Sequence, residues 1–397
     1  MLFQLIDNKI DCVGYCTDGK LFFEDELPES LSKTWKYTKA LESINSNKIE
    51  FANLYCGGLS FAEACPPHLQ ERLEVHTAKL KAFLRSFMEA KVSLNENCFF
   101  DLVPHKFLLS YYDVRNDITE HVFNNYQKPE NYMFLARLSK VLEQVSAQPL
   151  NIDLSALKDE AYKLPVKNFI QKIEQSKLVC DYNIFGTKTG RLTTKKGTFP
   201  ILTMDKKYRS VLKPTNDWFL EFDFNAAELR TILSLSNQEQ PRGDIHKWNA
   251  KNIYDNKVTR EEAKKKIFAW LYNPNSSDTA PDKYYDRAFL KGMYYSNGAV
   301  ATPFGRKIEA DSDHAINYLV QSTSSDNTLK QMYRLHSLLQ NCESFVAFTM
   351  HDSVIIDLSH KEKDLIPLLS LTFSETALGN FEVNISAGPD YGNMREL

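Results

Sequence analysis

Two acidic residues lie at the ends of apolar runs, where a carboxylate needs a partner. In "FVAFTMHDSVIID", residues 345–357, two apolar arms flank a polar centre, which predicts a hairpin of buried strands with Asp352 at its tip. A second apolar stretch, residues 218–224, is also predicted to be a strand, and Asp223 lies near its C-terminal end. A charge held against apolar strands is costly unless a cation or a metal compensates it. The alternative is an ordinary turn in which Asp352 and Ser353 face water.

The segment "TREEAKKKIFAWLYNP" carries a second chemical pattern. Thr259 and Glu262 have the spacing of a capping box, and Pro274 is expected to end the helix. Four residues recur every fourth position and form one stripe: Arg260, Lys264, Phe268 and Tyr272. Cations on two turns and rings on the next two suit a nucleotide, with its triphosphate on the cations and its base and sugar on the rings. The alternative is an amphipathic helix whose long side chains extend into solvent.

The overall charge does not indicate a nucleic-acid-binding protein, but its distribution is informative. The net charge is -3, whereas residues 188–213 contain eight basic residues and one acidic residue, Asp205. This stretch is either a solvated basic face or a track for a phosphate backbone.

The composition predicts a soluble globular protein with two or three subdomains around a large core. The chain has 397 residues, of which 43% are hydrophobic and 25% charged. The first residues do not have the pattern of a signal peptide, and no apolar run approaches the roughly 20 residues that span a bilayer. The seven cysteines lack zinc-site spacing, although Cys12 and Cys16 are close in sequence. We therefore expect reduced thiols and a cytoplasmic location without membrane attachment.

Local patterns place these residues on predicted elements. Apolar periodicity predicts strands within residues 9–23 and helices at residues 66–91 and 131–145. After the strand that contains Asp223, Asn225 is the predicted N-cap of a helix. Glu228 then has capping-box spacing.

Eight segments in chain order resemble the polymerase domain of family A DNA polymerases, the bacterial DNA polymerase I and phage replicative type. They are "TGRLTT", "DFNAAELR", "DIHKWNA", the stripe from Arg260 to Tyr272, "GAVATPFGRK", "NYLVQSTSSD", "HDSVIID" and "FEVNISAGPDYG". The resemblance extends from about residue 134 to the C-terminus.

The resemblance implies an α+β fold shaped like a right hand, with an antiparallel palm sheet, helical fingers and a reduced helical thumb. Residues 126–397 would be the polymerase domain. Its parts would be the thumb at 126–185, the palm at 186–245 and 298–397, and trimmed fingers at 246–297. Residues 1–125 would form a small α/β domain, for which a degenerate exonuclease is one interpretation, because "YYDVRNDIT" has Arg115 where a catalytic Asp would lie.

The resemblance also assigns the catalytic groups. Asp223 and Asp352, with the backbone carbonyl of Phe224, would hold two Mg²⁺ ions about 3.5–4 Å apart, and Mn²⁺ is a substitute. Arg260 and Lys264 would bind the triphosphate and offset charge in the transition state.

Further residues would bind the nucleotide and the DNA. His246 would assist with the triphosphate, Phe268 would stack on the incoming nucleotide, Glu228 would exclude a ribose 2′-hydroxyl and Tyr272 would pack beside it. The DNA-binding set would be Thr189, Arg191, Asn317, Gln321 and His351.

The sequence therefore predicts a template-directed DNA polymerase that extends a primer with deoxynucleoside triphosphates and does not proofread. Its partners would be primer-template DNA and dNTPs, with a processivity factor, helicase or primase as further candidates, in the host cytoplasm if a phage encodes it. Two alternatives stay open. Ser353 follows His351 and Asp352 as in single-subunit phage RNA polymerases, which suggests an RNA-synthesising or primase-like enzyme, and an inactive polymerase fold could serve as a DNA-binding scaffold.

Overall fold

The computed structural model describes residues 1–7, 13–23, 27–41, 48–94, 96–273 and 276–397. Within them the chain forms two compact units, Met1–Glu143 and Gln144–Leu397. No helix of the described residues is long and apolar enough to cross a bilayer.

The first unit contains a small sheet followed by helices. Its strands are β1 (Gln4–Asp7), β2 (Val13–Thr17), β3 (Lys20–Phe22), β4 (Lys33–Thr34) and β5 (Glu50–Phe51). β1, β2 and β3 are antiparallel neighbours, β4 pairs in parallel with β5, and a parallel bridge joins Leu2 to Lys33. These strands form two separate sheets, one of three strands and one of two. The helices are α1 (Ala52–Tyr55), α2 (Phe61–Ala64), α3 (Pro67–Glu89), α4 (Phe99–Leu102), α5 (His105–Asn125) and α6 (Tyr132–Ala147), the last four residues of which belong to the second unit.

Several predictions from local pattern are confirmed in this part of the chain. The helices expected at residues 66–91 and 131–145 are α3 and α6, and the strands expected within residues 9–23 are β2 and β3. Cys12 lies outside the described residues. The expectation of reduced thiols is wrong for Cys98, which is disulfide-bonded, whereas Cys16 and four other cysteines are free.

The second unit begins with short strands and a helix that lead into a larger sheet. These elements are β6 (Asn151–Ile152), α7 (Leu164–Glu174), β7 (Tyr182–Asn183), β8 (Thr193–Thr194), β9 (Leu212–Lys213) and β10 (Trp218–Phe224). Next come α8 (Ala227–Leu235), α9 (Ile245–Asn252), α10 (Arg260–Tyr272), α11 (Arg287–Tyr294), β11 (Tyr295–Ser296), β12 (Ala299–Ala301) and β13 (Lys307–Glu309). The unit ends with α12 (Ala315–Leu338), β14 (Phe345–Met350), β15 (Ser353–Leu358), α13 (Ile366–Ser374), β16 (Glu375–Thr376), β17 (Gly379–Asn380), β18 (Val383–Gly388) and β19 (Arg395–Glu396).

A five-stranded antiparallel sheet carries the residues of interest. Its order is β14-β15-β10-β18-β19, so β10 is its central strand. Phe222 and Phe224 point to the face that packs against Phe373 of α13, with ring centroids 5.7 and 4.3 Å away. Because side chains alternate along a strand, Asp223 lies on the opposite face. Burial of the aromatic face therefore fixes the direction in which this carboxylate points.

Candidate active site

The two predicted carboxylates border one cleft. Asp223 pairs in register with Ser353 of β15 and Asn384 of β18. Asp352 lies in the two-residue turn between Met350 and Ser353, which confirms the predicted hairpin. Both aspartates line a cleft of 570 Å³.

The surroundings of this pair disfavour its double ionisation. Burial, followed by the charges of Glu221 and Asp352, raises the pKa of Asp223 to about 7, although Asn384 and Lys264 oppose the shift. Burial also raises the pKa of Asp352, against the opposing charge of Arg191. A cation bound between the carboxylates would reverse this penalty because it favours their charged forms.

The donor set fits a hard cation that brings its own water and phosphate ligands. Among the described residues no group of three or more His, Cys, Asp or Glu residues forms a metal centre. Two carboxylates nevertheless suffice for Mg²⁺, which commonly binds to one or two carboxylates together with substrate phosphates. The side chain of Phe224 is buried in the core, so only its backbone carbonyl could contribute.

Helix α10 presents the predicted cationic stripe. The capping box is confirmed, because the Thr259 hydroxyl accepts from the Glu262 N–H and the Glu262 carboxylate accepts from the Thr259 N–H. The helix ends at Tyr272, whereas Pro274 lies outside the described residues. Lys264 is exposed and close enough to Asp223 to lower the pKa of that residue.

Arg260 lines the cleft and is already paired. Its Nε donates to Asp244 at 2.7 Å, and its Nη1 donates to Glu261. Asp244 also caps α9 by accepting from the backbone N–H groups of His246 and Lys247. A triphosphate that bound to Arg260 would therefore compete with these carboxylates.

His246 is a neutral group in this structure. Its side chain is buried beside Phe268, with ring centroids 5.8 Å apart. Burial and the nearby Lys264 lower the pKa of His246 to about 4. Its Nδ1 is buried and has no hydrogen-bond partner in the described part of the chain. Any help that His246 gives to a triphosphate would therefore be a hydrogen bond rather than a charge.

Glu228 links three separate motifs. Tyr272 donates its hydroxyl to Oε2 of Glu228, and Nη2 of Arg191 donates to Oε1 at 2.5 Å. Burial raises the pKa of Glu228, which is 6% exposed, while Tyr272 and Arg191 oppose that rise. The ring of Tyr272 stacks on Phe268 with centroids 5.8 Å apart. A sugar that approached this cluster would meet the carboxylate and both rings.

The predicted N-cap of α8 is wrong. Ala226 is the N-cap and has a left-handed backbone with φ 53°, so Glu228 falls in the first helical turn without closing a capping box. The amide oxygen of Asn225 instead accepts from Nη2 of Arg230 at 3.3 Å and from the N–H of Ile245 at 3.4 Å. Glu228 is thereby released from capping and free to hold Arg191 and Tyr272.

The loop that contains Thr189 and Arg191 packs on a buried ion pair. Gly190 has φ 77°, and a Cβ there would lie 2.5 Å from Nη2 of Arg306. Arg306 donates two hydrogen bonds, of 3.0 and 2.7 Å, to the fully buried Asp326 of α12. The backbone of this loop at Gly190, next to Arg191 in sequence, therefore packs on the guanidinium of Arg306.

The remaining predicted DNA-binding residues are distributed around the cleft. His351 lines it with φ 55°, and burial followed by Arg191 and Arg209 lowers its pKa. Asn317 and Gln321 share one face of α12 and do not line the cleft. The Oδ1 of Asn317 is buried and has no hydrogen-bond partner in the described ranges. These two residues are the least connected members of the predicted set.

Sequence reasoning did not find all residues of the cleft. Glu221, Asn384, Tyr391 and Arg209 also line it. Glu221 had a detectable signal, because it precedes Asp223 by two positions on a strand and must share its face. Arg209 belongs to the basic stretch 188–213, and Asn384 and Tyr391 belong to the segment "FEVNISAGPDYG", but no local pattern predicts that these three side chains reach the cleft.

Comparisons with known proteins agree with this architecture. No family model matches the sequence. An alignment over 171 positions, which covers 34% of this chain, shows 24% identity to the DNA polymerase of Mycobacterium phage D29 and spans 28% of that protein. The structure is similar to the POL domain of Pol1 from M. smegmatis in complex with DNA primer-template and dNTP. The TM-score is 0.68 at 11% identity, over 99% of this chain and 96% of that one. The expected α+β polymerase fold, and with it the resemblance to family A polymerase domains, is confirmed at the level of the fold.

Proposed function

We propose that this protein is a template-directed DNA polymerase that extends a primer 3′ end with dNTPs. The observation that carries the proposal is the shared cleft. Asp223 and Asp352 border it, Arg260 of α10 lines it, and Lys264 of the same helix is close enough to influence Asp223. Negative groups for metal-bound chemistry and positive groups for a triphosphate are what nucleotidyl transfer requires.

The carboxylates would hold the cofactor. Asp223, Asp352 and the carbonyl of Phe224 would bind two Mg²⁺ ions, or Mn²⁺ in their place. When bound, such ions supply an activated 3′-hydroxyl and stabilisation of the departing pyrophosphate. Arg260 would exchange its contacts with Asp244 and Glu261 for the triphosphate, and Lys264 would add a second positive charge.

The cluster around Glu228 would select the sugar. The Glu228 carboxylate accepts hydrogen bonds from Tyr272 and Arg191, and the ring of Tyr272 stacks on Phe268. A ribose 2′-hydroxyl would therefore meet a buried carboxylate that already has its hydrogen-bond partners. Phe268 would stack on the incoming nucleotide. Thr189, Arg191, Asn317, Gln321 and His351 would contact primer-template DNA, with a processivity factor, helicase or primase as further partners.

Primer extension tests this proposal. Wild type, Asp223→Asn and Asp352→Asn would be compared on a recessed DNA duplex with Mg²⁺, and deoxy- and ribonucleotides would be supplied separately. Asp255→Asn is the matched control, since Asp255 is exposed and its ion-pair partner Lys257 is also exposed. We expect extension by wild type and the control with deoxynucleotides, loss in both active-site variants and loss on chelation. Absence of extension by wild type would contradict the proposal.

The contacts of Ser353 do not decide between a DNA polymerase and the RNA-synthesising alternative. Ser353 stands where the family has Glu, and its hydroxyl donates to the carbonyl of Met350 at 3.0 Å, inside the hairpin. Its use is thus structural and does not distinguish the two enzymes. Extension by wild type with ribonucleotides alone would favour that alternative. Tight DNA binding without extension would favour the scaffold.

We also propose that the N-terminal residues, about 1–125, are a degenerate exonuclease-like domain without proofreading activity. The antiparallel β1–β3 sheet, the parallel pairing of β4 with β5 and the helices that follow them support a small α/β domain. Arg115 lies where the resemblance would place a catalytic Asp. Its guanidinium lies 4.1 Å from the ring centroid of Phe61 and donates to the Tyr111 hydroxyl, so this side chain offers no carboxylate to a metal. Release of 3′ nucleotides from a mismatched primer by wild type would contradict this interpretation.

A further inference from the structure

The cleft has a second pair of basic residues that the proposed chemistry does not use. Lys206 and Arg209 line it together with Asp223 and Asp352. Both belong to a 3₁₀ helix, Lys206–Val211, which precedes β9. They are far in sequence from α10, whose cations would bind the triphosphate.

Among the described residues Arg209 forms no ion pair with a carboxylate, unlike three other arginines of this unit. Arg191, Arg260 and Arg306 each form an ion pair with a carboxylate. Arg209 instead donates from Nη2 to the Sδ of Met350 at 2.8 Å, and its buried Nε has no hydrogen-bond partner among the described residues. A thioether is a weak acceptor and a guanidinium has five N–H groups, so most of its donor capacity is unused.

The orientation of Arg209 is set by aromatic packing. Its guanidinium lies 4.7 Å from the ring centroid of Tyr391, which is 3% exposed and donates its hydroxyl to Glu221 at 3.3 Å. The adjacent Tyr208 stacks on Phe169 with centroids 4.2 Å apart and anchors the 3₁₀ helix. A guanidinium held in this way is pre-organised to bind a planar pair of oxygens.

We propose that Arg209, assisted by Lys206, binds a phosphodiester of the primer strand near its 3′ end. The inference rests on the proposed polymerase function. Met350, the contact of Arg209, immediately precedes the turn that carries Asp352, one of the two carboxylates proposed to hold the ions that activate the primer hydroxyl. A strand phosphate bound to Arg209 would therefore be held next to the point of attack. Its two free oxygens match the guanidinium fork.

The test uses primers in which one charged linkage near the 3′ end is replaced by a neutral methylphosphonate. Each of the last few linkages is replaced in turn. Wild type, Arg209→Ala and Arg209→Lys are compared for kcat, for KM of primer-template and of dNTP, and for duplex affinity measured by fluorescence anisotropy. Lys207→Ala is the matched control, because Lys207 is exposed, pairs with Asp205 and does not line the cleft.

We expect Arg209→Ala to raise the KM of primer-template roughly tenfold or more, about 1.4 kcal/mol, because a charge-assisted hydrogen bond to the phosphate is lost, and to leave the KM of dNTP nearly unchanged. One neutral linkage should weaken wild type and Lys207→Ala by a similar factor but have little further effect on Arg209→Ala. Arg209→Lys should fall between them.

Equal sensitivity of wild type and Arg209→Ala at every linkage would overturn the inference. If the melting temperature of Arg209→Ala is well below that of wild type, Arg209→Lys is compared with wild type instead. The inference would then be overturned if Arg209→Lys had the same KM of primer-template as wild type and lost the same affinity on neutralisation of each linkage. If wild type binds DNA but extends no primer, the polymerase proposal fails. Duplex affinities measured by fluorescence anisotropy, with each linkage neutralised in turn, still decide whether Arg209 binds a phosphate of the primer strand.

Discussion

Gly190 lies directly against the guanidinium of Arg306. Its φ of 77° is in the left-handed region, and a Cβ there would approach Nη2 of Arg306 to 2.5 Å. The guanidinium cannot easily withdraw, because the fully buried Asp326 holds it by two hydrogen bonds. The close approach thus joins the loop of Arg191 to α12, and it makes glycine necessary for two separate reasons.

Gly190→Ala should therefore cost more stability than its backbone strain alone. Gly197 has a similar φ of 82° but nothing within 4 Å of an added Cβ, so Gly197→Ala is a matched control. We expect Gly197→Ala to lower the free energy of unfolding by about 1–2 kcal/mol, the cost of a left-handed non-glycine residue. Gly190→Ala should lower it further and also weaken primer extension. Equal melting temperatures for the two variants would contradict the role of Arg306.

Glu228→Ala should relax the choice of sugar. It removes the buried carboxylate that holds Tyr272 and Arg191, so a 2′-hydroxyl would meet space rather than a filled site. We expect the ratio of kcat/KM for dNTP to that for the matching ribonucleotide to fall by roughly tenfold or more, about 1.4 kcal/mol per factor of ten. Tyr272→Phe keeps the ring and loses only the hydroxyl, so its ratio should change less. An unchanged ratio in Glu228→Ala would support the RNA-synthesising alternative.

Asp223→Asn should stabilise the metal-free protein at high pH. At pH values below the ordinary pKa of 3.8, Asp223 is protonated in both the folded and the unfolded state and contributes nothing. As the pH rises towards about 7, the Asp223 carboxyl ionises in the unfolded chain but stays protonated in the folded chain. The free energy of unfolding therefore falls by about 1.4 kcal/mol per pH unit. Asparagine avoids this loss.

Melting temperatures in chelator would measure the effect. The gain of Asp223→Asn over wild type should be small near pH 4 and reach a few kcal/mol by pH 8, as expected from the pKa of about 7. Asp255→Asn makes the same chemical change at an exposed position and is the matched control. A pH-independent difference would show that the carboxylate is not penalised by burial.

The KM of dNTP should not change with pH in the way expected if His246 had the ordinary pKa of a histidine. The pKa of His246 is lowered to about 4, so the imidazole stays neutral from pH 5.5 upward. We expect the KM of dNTP to show no inflection near the ordinary value of 6.5. An inflection there that disappears in His246→Gln would show that the imidazole becomes charged when nucleotide binds.

Features that depend on neighbouring residues were predictable. The 345–357 hairpin and α10 follow from apolar alternation, helical spacing and a local capping box, all of which act within a few residues. The N-cap predicted at Asn225 is wrong, because the side chain of Asn225 accepts hydrogen bonds from Arg230 and Ile245 and Ala226 adopts a left-handed backbone. Here tertiary contacts outweigh a preference of about 1 kcal/mol.

The sequence by itself determined which residue types occur, in which order, and that Asp223 and Asp352 end apolar strands. Only the tertiary structure decided that Glu228 holds Arg191 and Tyr272, and that Arg209 lies on Tyr391 and donates to the thioether of Met350. The physical reason is range. Periodicity and capping act over one or two turns of chain, whereas burial and charge depend on segments that meet only when the core closes.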